Sequence, residues 1–174
     1  MNYVKTIEVF MNGVKVGRMA LTHDALCAFE YNPSYLTNGV SISPFNLPLK
    51  SELFTAKRTP FNGGFGVFDD SLPDGWGNLI MDRYLGNKGI AFSKLTILQK
   101  LALAGNSRRG ALEYRPDCSE TVVDEIITFD ELAADAGKIL TSDYAGESVE
   151  TFYKYGGMPG GARPKVFVNS DGKE

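Results

Sequence analysis

A glycine-rich loop at residues 156–165 has the residue types best suited to chemistry. It reads Gly-Gly-Met-Pro-Gly-Gly-Ala-Arg-Pro-Lys. Glycines let backbone N–H groups approach an anion closely, and successive amides of this kind can form an anion-binding nest. Arg163 and Lys165 add positive charge, and the guanidinium adds bidentate hydrogen bonding. The sequence therefore predicts a phosphate-binding loop formed by Gly160, Gly161, Ala162, Arg163 and Lys165.

The order of elements around this loop narrows the kind of phosphate site. It is not a Walker A loop, because no Gly-Lys-Ser/Thr follows the glycines. A turn that leads into the strand-like run Val166-Phe167-Val168 fits the glycine-rich loop of a kinase better. A flexible linker between domains has the same composition, and composition alone leaves that alternative open.

The segment Leu72–Asn78 has a second notable composition, Leu-Pro-Asp-Gly-Trp-Gly-Asn. Proline presets φ and glycine permits a positive φ, so the segment predicts a turn at the start of a helix. Its plain interpretation is an exposed turn followed by a core tryptophan, Trp76. The alternative is a surface for a partner or for the rest of the same chain.

One histidine and two cysteines give no scope for a His-rich metal site, a paired-histidine mechanism or a Cys–His pair. His23 is the single histidine, and a surface or half-buried position is expected for it. Cys27 and Cys118 have no metal-ligand spacing and are expected to be reduced, partly buried thiols. Arg108 and Arg109 predict a solvated basic turn, with phosphate or nucleic-acid binding as the alternative. We assign no catalytic residue and no metal ligand.

Composition excludes several classes of protein. The chain has 174 residues, 43% of them hydrophobic, and a net charge of −3. This charge argues against a dedicated nucleic-acid surface, which is usually basic. The first residues lack the apolar core of a signal peptide, and no window approaches the roughly 20 apolar residues that span a bilayer. The cytoplasm is the expected location, without a membrane partner.

Local patterns predict a strand-rich first part. Residues 6–21 predict a β-hairpin, with Asn12-Gly13 as a type I′ turn. A third strand is expected near Phe29–Tyr31, and short strands with irregular loops are expected over residues 37–65. Pro44 excludes a central strand around it.

Helices are predicted in the second part. One should begin near Trp76, and Ser93 should cap another that runs to Ala104, with Thr96 on its inner face. A strand is expected over residues 111–114. Thr128 and Glu131 form a capping box before an apolar stripe at Leu132, Ala133, Ala136, Ile139 and Leu140. A short helix near 145–153 and a strand at Lys165–Asn169 should follow.

These elements predict an α+β fold. Residues 1–116 should form a small mixed domain with a curved, mostly antiparallel sheet, against which the helices at 75–86 and 93–104 pack. Residues 117–174 should form a helical connection that leads into the glycine-rich loop.

Three blocks of sequence, taken in order, resemble the HipA family of kinase toxins from bacterial type II toxin–antitoxin modules. The first is Phe68–Gly77 with Met81-Asp82-Arg83, which resembles the family's "LPDGWG…DR" block. The second is Ala104–Tyr114, which is similar to "G…RGALEY". The third is Gly160–Lys165, which resembles the "GGARPK" loop. Order and spacing agree over essentially the whole chain.

The resemblance implies a function that composition does not. Family members resemble two-lobed kinases that use ATP and Mg²⁺ to phosphorylate serine or threonine of a protein, and glutamyl-tRNA synthetase is the known family target. A helix-turn-helix, HipB-like antitoxin neutralises the toxin, so that DNA is contacted only indirectly. Many members carry a phosphorylated serine in the loop. Met158 stands at about that place here, which makes such regulation doubtful.

The resemblance also implies that this chain is one part of a kinase, in which residues 117–174 form the helical connection and the start of a kinase-like N-lobe that includes the glycine-rich loop. The nucleotide lysine, the catalytic aspartate and the metal ligands of a kinase lie downstream of the loop in the family, and Lys173 is too early to be that lysine. We therefore expect an inactive N-terminal fragment with no cofactor bound. The alternative is a non-enzymatic antitoxin or interaction protein of a split system, which binds a separate kinase chain and would be expected to end near Pro116.

Overall fold

The hairpin at the start of the chain forms as predicted in the computed structural model of the protein. Strand β1 (Thr6–Met11) pairs antiparallel with β2 (Val14–Leu21). Asn12 and Gly13 have φ values of 51° and 74°, as a type I′ turn requires. The structure describes residues 4–105, 110–118, 128–141, 146–156 and 161–165.

Three further strands extend this hairpin into an antiparallel sheet. Strand β3 (Cys27–Tyr31) pairs with β2, and β4 (Leu53–Thr55) pairs with β3 at one edge. Strand β5 (Leu112–Arg115) pairs with β1 at the other edge, so the order is β4-β3-β2-β1-β5. With the helices, this sheet confirms the predicted α+β class.

Six α-helices lie within the described residues. The sequence analysis did not predict the first, in which the Asn32 side chain accepts a hydrogen bond from the Ser34 amide at 3.0 Å and Pro33 occupies the first turn. The helices are α1 (Pro33–Asn38), α2 (Gly66–Asp69), α3 (Gly75–Asn87), α4 (Ile97–Ala104), α5 (Phe129–Thr141) and α6 (Gly146–Gly156).

The start of α4 corrects one prediction. Ser93 lies inside a 3-10 turn, Phe92–Lys94, and caps no helix. Thr96 is the N-cap instead, and its hydroxyl accepts a hydrogen bond from the Gln99 amide at 3.2 Å. The Gln99 side chain in turn accepts from the Thr96 amide at 2.9 Å, which completes a capping box. Thr96 was therefore wrongly placed on the inner face of the helix.

The chain divides into two compact units, each made from two stretches of sequence. The first contains Met1–Leu72 and Thr96–Ser119, and the second contains Pro73–Leu95 and Glu120–Glu174. The sequence analysis predicted two consecutive domains with a boundary after residue 116. The two units group residues by their contacts and not by their order along the chain, so that boundary stays a prediction.

The first unit buries its core between the sheet and α4. The ring of Phe68 lies 5.3 Å from that of Phe29 and 6.5 Å from that of Tyr114. Leu98 and Leu101 of α4 are fully buried with them. Each large apolar side chain buried in this way stabilises the fold by about 1.5–3 kcal/mol.

The second unit is helical in its described part. Although α3 was predicted to pack on the sheet, it belongs to this unit, where α6 and the 3-10 turn are its neighbours. The Trp76 ring meets the Phe152 ring edge-on at 5.3 Å, and the Tyr84 and Tyr153 rings stack at 3.9 Å. The buried face of α3 is thus aromatic and is matched by aromatic residues of α6.

Helix α5 begins as the sequence predicts. Thr128 and Glu131 form the capping box, with a bond of 2.8 Å from the Thr128 amide to the Glu131 carboxylate. The bonds from Thr128 lower the pKa of Glu131. Leu132, Ala136 and Ile139 are buried as predicted, but Ala133 and Leu140 are exposed. The apolar stripe is therefore narrower than the sequence indicated.

Candidate phosphate-binding loop

The turn before α3 is built by Asp74 and Gly75. The Asp74 backbone is extended, whereas Gly75 has a φ of +31°. The Asp74 carbonyl accepts the amide of Asn78 at 3.1 Å, as the N-cap residue of a helix does. The Asp74 side chain, however, makes no capping hydrogen bond, so its carboxylate is available to another donor.

That donor is in the glycine-rich loop. The backbone N–H of Gly161 donates to Oδ1 of Asp74. The Gly161 carbonyl accepts a second bond from the backbone N–H of Trp76, with an N–O distance of 2.7 Å. Gly161 is therefore held at both its N–H and its C=O by the residues that start α3.

The two segments meet too closely for a side chain at Gly75. A Cβ added to Gly75 would lie 2.5 Å from the Gly161 carbonyl oxygen and 2.9 Å from Cα of Ala162. Gly161 has a φ of +87°, and Lys165 Nζ lies 2.7 Å from the point where its Cβ would stand. Glycine is therefore favoured at Gly75 by both conformation and space, and at Gly161 by its positive φ, because the Lys165 side chain is flexible and can move away.

The structure describes four of the five predicted loop residues. Gly161, Ala162, Arg163 and Lys165 are consecutive or nearly so, and all are exposed. Gly160 lies outside the described residues, as do Met158 and the predicted strand beyond Lys165. The loop therefore presents two exposed cations from a backbone that is fixed at Gly161, and its role in phosphate binding stays a prediction.

Sequence analysis did not include Asp74, Gly75 or Trp76 in this site. It considered Leu72–Asn78 as a surface for the rest of the chain, but only as the alternative to an exposed turn. The first interpretation agrees with the structure in that Asp74 and Gly75 are exposed and Trp76 is only 2% exposed. The alternative agrees in that Asp74 and Gly75 contact the glycine-rich loop of the same chain. The sequence signal that could have identified this contact is Asp74, an acidic residue directly before the glycine that starts the helix. The sequence analysis assigned no hydrogen-bond partner to its carboxylate.

The same block of sequence also supplies a core contact in the first unit. The hydroxyls of Ser71 and Tyr114 are 2.6 Å apart and buried. Burial raises the pKa of the Tyr114 phenol above its ordinary value, although the Ser71 hydrogen bond opposes this. Tyr114 therefore stays neutral and acts as a structural group.

The other candidate residues do not form a site in the described part of the chain. His23 is exposed, as the sequence indicated. Cys27 is fully buried, which raises its pKa to about 12, whereas Cys118 is exposed. Arg108 and Arg109 lie outside the described residues. Within those residues, no group of three or more His, Cys, Asp or Glu side chains is arranged to hold a metal ion.

Comparison with known proteins identifies one family. The family model described as the HipA N-terminal domain matches residues 7–115, more than half of the chain. The match includes the five strands, except for Thr6 at the start of β1, and the first two of the three sequence blocks. No curated protein matches the chain. None of the helices in the described segments has the length and apolar content to span a bilayer.

Proposed function

Because the chain belongs to the HipA family, we propose that it is the N-terminal portion of a toxin kinase. The complete kinase would transfer the γ-phosphate of ATP to a serine or threonine of a protein, with glutamyl-tRNA synthetase as the family's target. A helix-turn-helix, HipB-like antitoxin would neutralise it and would provide the only contact with DNA. The cytoplasm is its proposed location.

The observation that supports this proposal most directly is the pair of hydrogen bonds that hold the backbone N–H and C=O of Gly161. A loop that covers phosphates binds them best when its backbone is already ordered, because ordering the loop on binding would cost free energy. Such a loop must also present positive charge to the phosphates. Arg163 and Lys165 are exposed on such a backbone, because Gly161 is bound at both its polar groups. The described loop residues therefore fit a polyphosphate.

The chemistry that the ligands supply in such a kinase is phosphoryl transfer, with Mg²⁺ neutralising charge on the phosphates. This chain's part would be to bind and orient the phosphates through Arg163 and Lys165. The described residues offer no cluster of metal ligands, so we assign none of them to Mg²⁺. The lysine, aspartate and metal ligands of the reaction are proposed to lie downstream, as in the family.

Phosphotransfer assays test this proposal. Radiolabelled ATP and candidate protein substrates would be incubated with this chain and with the product of the complete reading frame that encodes it. We expect transfer only by the longer product, and at least about tenfold less transfer in its Arg163→Ala/Lys165→Ala variant. Lys50→Ala/Lys57→Ala, which changes two exposed cations of the first unit, is the matched control. Transfer by this chain alone would contradict the proposal that it is an inactive portion.

A second candidate function is favoured by the extent of the family match. It ends at residue 115, close to the point where a split-system antitoxin would be expected to end. In that case the chain would bind a separate kinase and have no phosphate chemistry of its own. The residues that follow, with the glycine-rich loop, favour the kinase. Purification of the endogenous chain in a stable complex with a separate kinase would favour the antitoxin.

A further inference from the structure

The hydrogen bond between Asp74 and Gly161 uses a group that the loop would otherwise offer to phosphate. A carboxylate that accepts a backbone N–H makes a charge-assisted bond, about twice as strong as a neutral one. A single N–H directed at a carboxylate oxygen has no second hydrogen to offer another anion. The Gly161 amide is therefore withdrawn from the donors of the predicted nest.

The contact is also directional. Asp74 binds the N–H of Gly161 while Trp76, two residues later, binds its C=O at 2.7 Å. These two bonds fix the orientation of both peptide planes that flank Gly161. The plane on the carboxyl side leads through Ala162 to Arg163. The orientation of Gly161 therefore sets the direction in which the loop leaves towards its cations.

Close packing adds to this constraint. Gly75 lies against the Gly161 carbonyl with no room for a Cβ. Asp74 and Gly75 are both exposed, so the contact does not form simply because the residues are buried in a core. Its bonds are specific ones between two segments that lie 87 residues apart in sequence.

We propose that Asp74 is a positioning residue for the glycine-rich loop: it fixes Gly161 and leaves phosphate recognition to Arg163 and Lys165. This inference rests on the proposed function, because phosphate recognition by Arg163 and Lys165 is itself part of that proposal. Asp74 itself does not touch the phosphate.

Three variants of this chain test the assignment by NMR with ¹⁵N-labelled protein. Asp74→Ala removes the acceptor, and Asp74→Asn keeps an acceptor oxygen without the charge. Asp82→Asn changes another exposed acidic residue of α3 and is the matched control. We expect hydrogen exchange of the Gly161 amide to be about tenfold faster in Asp74→Ala, partly restored in Asp74→Asn, and unchanged in Asp82→Asn. Unchanged exchange in Asp74→Ala would overturn the proposal.

Titration with ATP, carried out on the same variants in the product of the complete reading frame, then separates the positioning role of Asp74 from the effect of its charge. Loss of positioning predicts weaker ATP binding in Asp74→Ala than in Asp74→Asn, with the wild-type chain at least as tight as either. If Asp74 acted only by repelling phosphate, both variants would bind ATP more tightly than the wild type, which would refute the positioning role. If ATP shifts no resonance of Arg163 or Lys165 in any variant while the exchange pattern holds, the loop contact stands and the proposed phosphate-binding function fails.

Discussion

Ser71 and Tyr114 share a buried hydrogen bond of 2.6 Å, and each belongs to one of the sequence blocks that identify the family. The block that contains Ser71 also contains Asp74, which binds Gly161 of the third block. The first block therefore contacts the second block within one compact unit and the third block within the other. These contacts give a structural reason for the three motifs to occur together.

We expect Ser71→Ala to lower the free energy of unfolding of the first unit by about 1–3 kcal/mol, because it leaves the Tyr114 hydroxyl buried without its partner. Urea denaturation monitored by far-UV circular dichroism measures the change. In the double variant Ser71→Ala/Tyr114→Phe the loss should be largely recovered, since no polar group is then left unpaired. A double variant with the sum of the two single losses would show that the hydrogen bond is not the cause.

Gly75→Ala should destabilise the second unit by about 1–3 kcal/mol and release the glycine-rich loop. The added Cβ meets the Gly161 carbonyl oxygen at 2.5 Å, and a φ of +31° strains any residue with a side chain. The single tryptophan lies in this unit, so its fluorescence during denaturation reports the change. Gly86→Ala is the control, because a Cβ there meets open space in the same helix. It should be neutral or stabilising by up to about 1 kcal/mol.

Thr96→Ala should destabilise the first unit by about 1 kcal/mol, the usual value for loss of an N-cap side chain. Ser93→Ala should change it by less than about 0.5 kcal/mol, since Ser93 caps no helix. The same urea measurement compares the two variants. A larger loss in Ser93→Ala would restore the boundary that was predicted from the sequence.

The second unit should lose stability in acid through Asp135. Its carboxylate accepts hydrogen bonds of 2.8 Å from Ser148 of α6 and from Lys138. Burial acts to raise the pKa of Asp135, but these bonds, with the charge of Lys138, lower it below the usual 3.8. The unfolded chain thus takes up this proton at a higher pH than the folded one. The stabilisation is complete above the unfolded pKa and is lost as pH falls through the folded value.

Asp135→Asn tests this pH dependence. At neutral pH it should reduce the free energy of unfolding by about 1 kcal/mol, and the difference from the wild type should shrink as pH falls from about 5 to about 2. Tryptophan fluorescence in urea at several pH values measures both quantities. Asp82→Asn on α3 is the control for general acid effects. A difference that stays constant across this range would exclude Asp135 as the titrating group.

The two thiols should differ in reactivity. Cys118 is exposed, whereas Cys27 is fully buried and its pKa is raised to about 12. Only thiolates react readily with disulfide reagents, so we expect the native chain to react at Cys118 and the denatured chain at both. Mass spectrometry after labelling at neutral pH measures this. Rapid modification of Cys27 in the native chain would contradict its burial.

Sequence patterns correctly predicted the elements that are determined by interactions between residues close together in sequence. Asn12-Gly13 closes the hairpin and Thr128 with Glu131 opens α5, because each pattern satisfies backbone requirements within four residues. The start of α4 was wrong, since Ser93 and Thr96 are both acceptable caps and only Thr96 has a glutamine three residues later. The α+β class followed from the same short-range patterns.

Such patterns could not predict which residues hold the glycine-rich loop in place. Glycines and cations identified Gly161, Arg163 and Lys165 as candidates from composition, but the partner of Gly161 lies 87 residues earlier. The same limit explains α3, whose buried face follows Trp76, Gly77, Ile80 and Met81 and is paired with α6. Sequence periodicity gives the existence of an apolar face and leaves its partner undetermined.

The alternation of the two units along the chain has a consequence for vectorial synthesis. When the ribosome has added residue 72, the residues of strands β1 to β4 have all been synthesised. The residues of β5, which pairs with the outer edge of β1, and of α4, which completes the core, have not. An unpaired edge of this kind is a site for aberrant association of nascent chains. The first unit can close only after the 23 residues of Pro73–Leu95, which belong to the other unit, have also emerged. A ribosome that pauses between residues 72 and 115 would therefore prolong the interval in which the outer edge of β1 is unpaired and open to association with other chains.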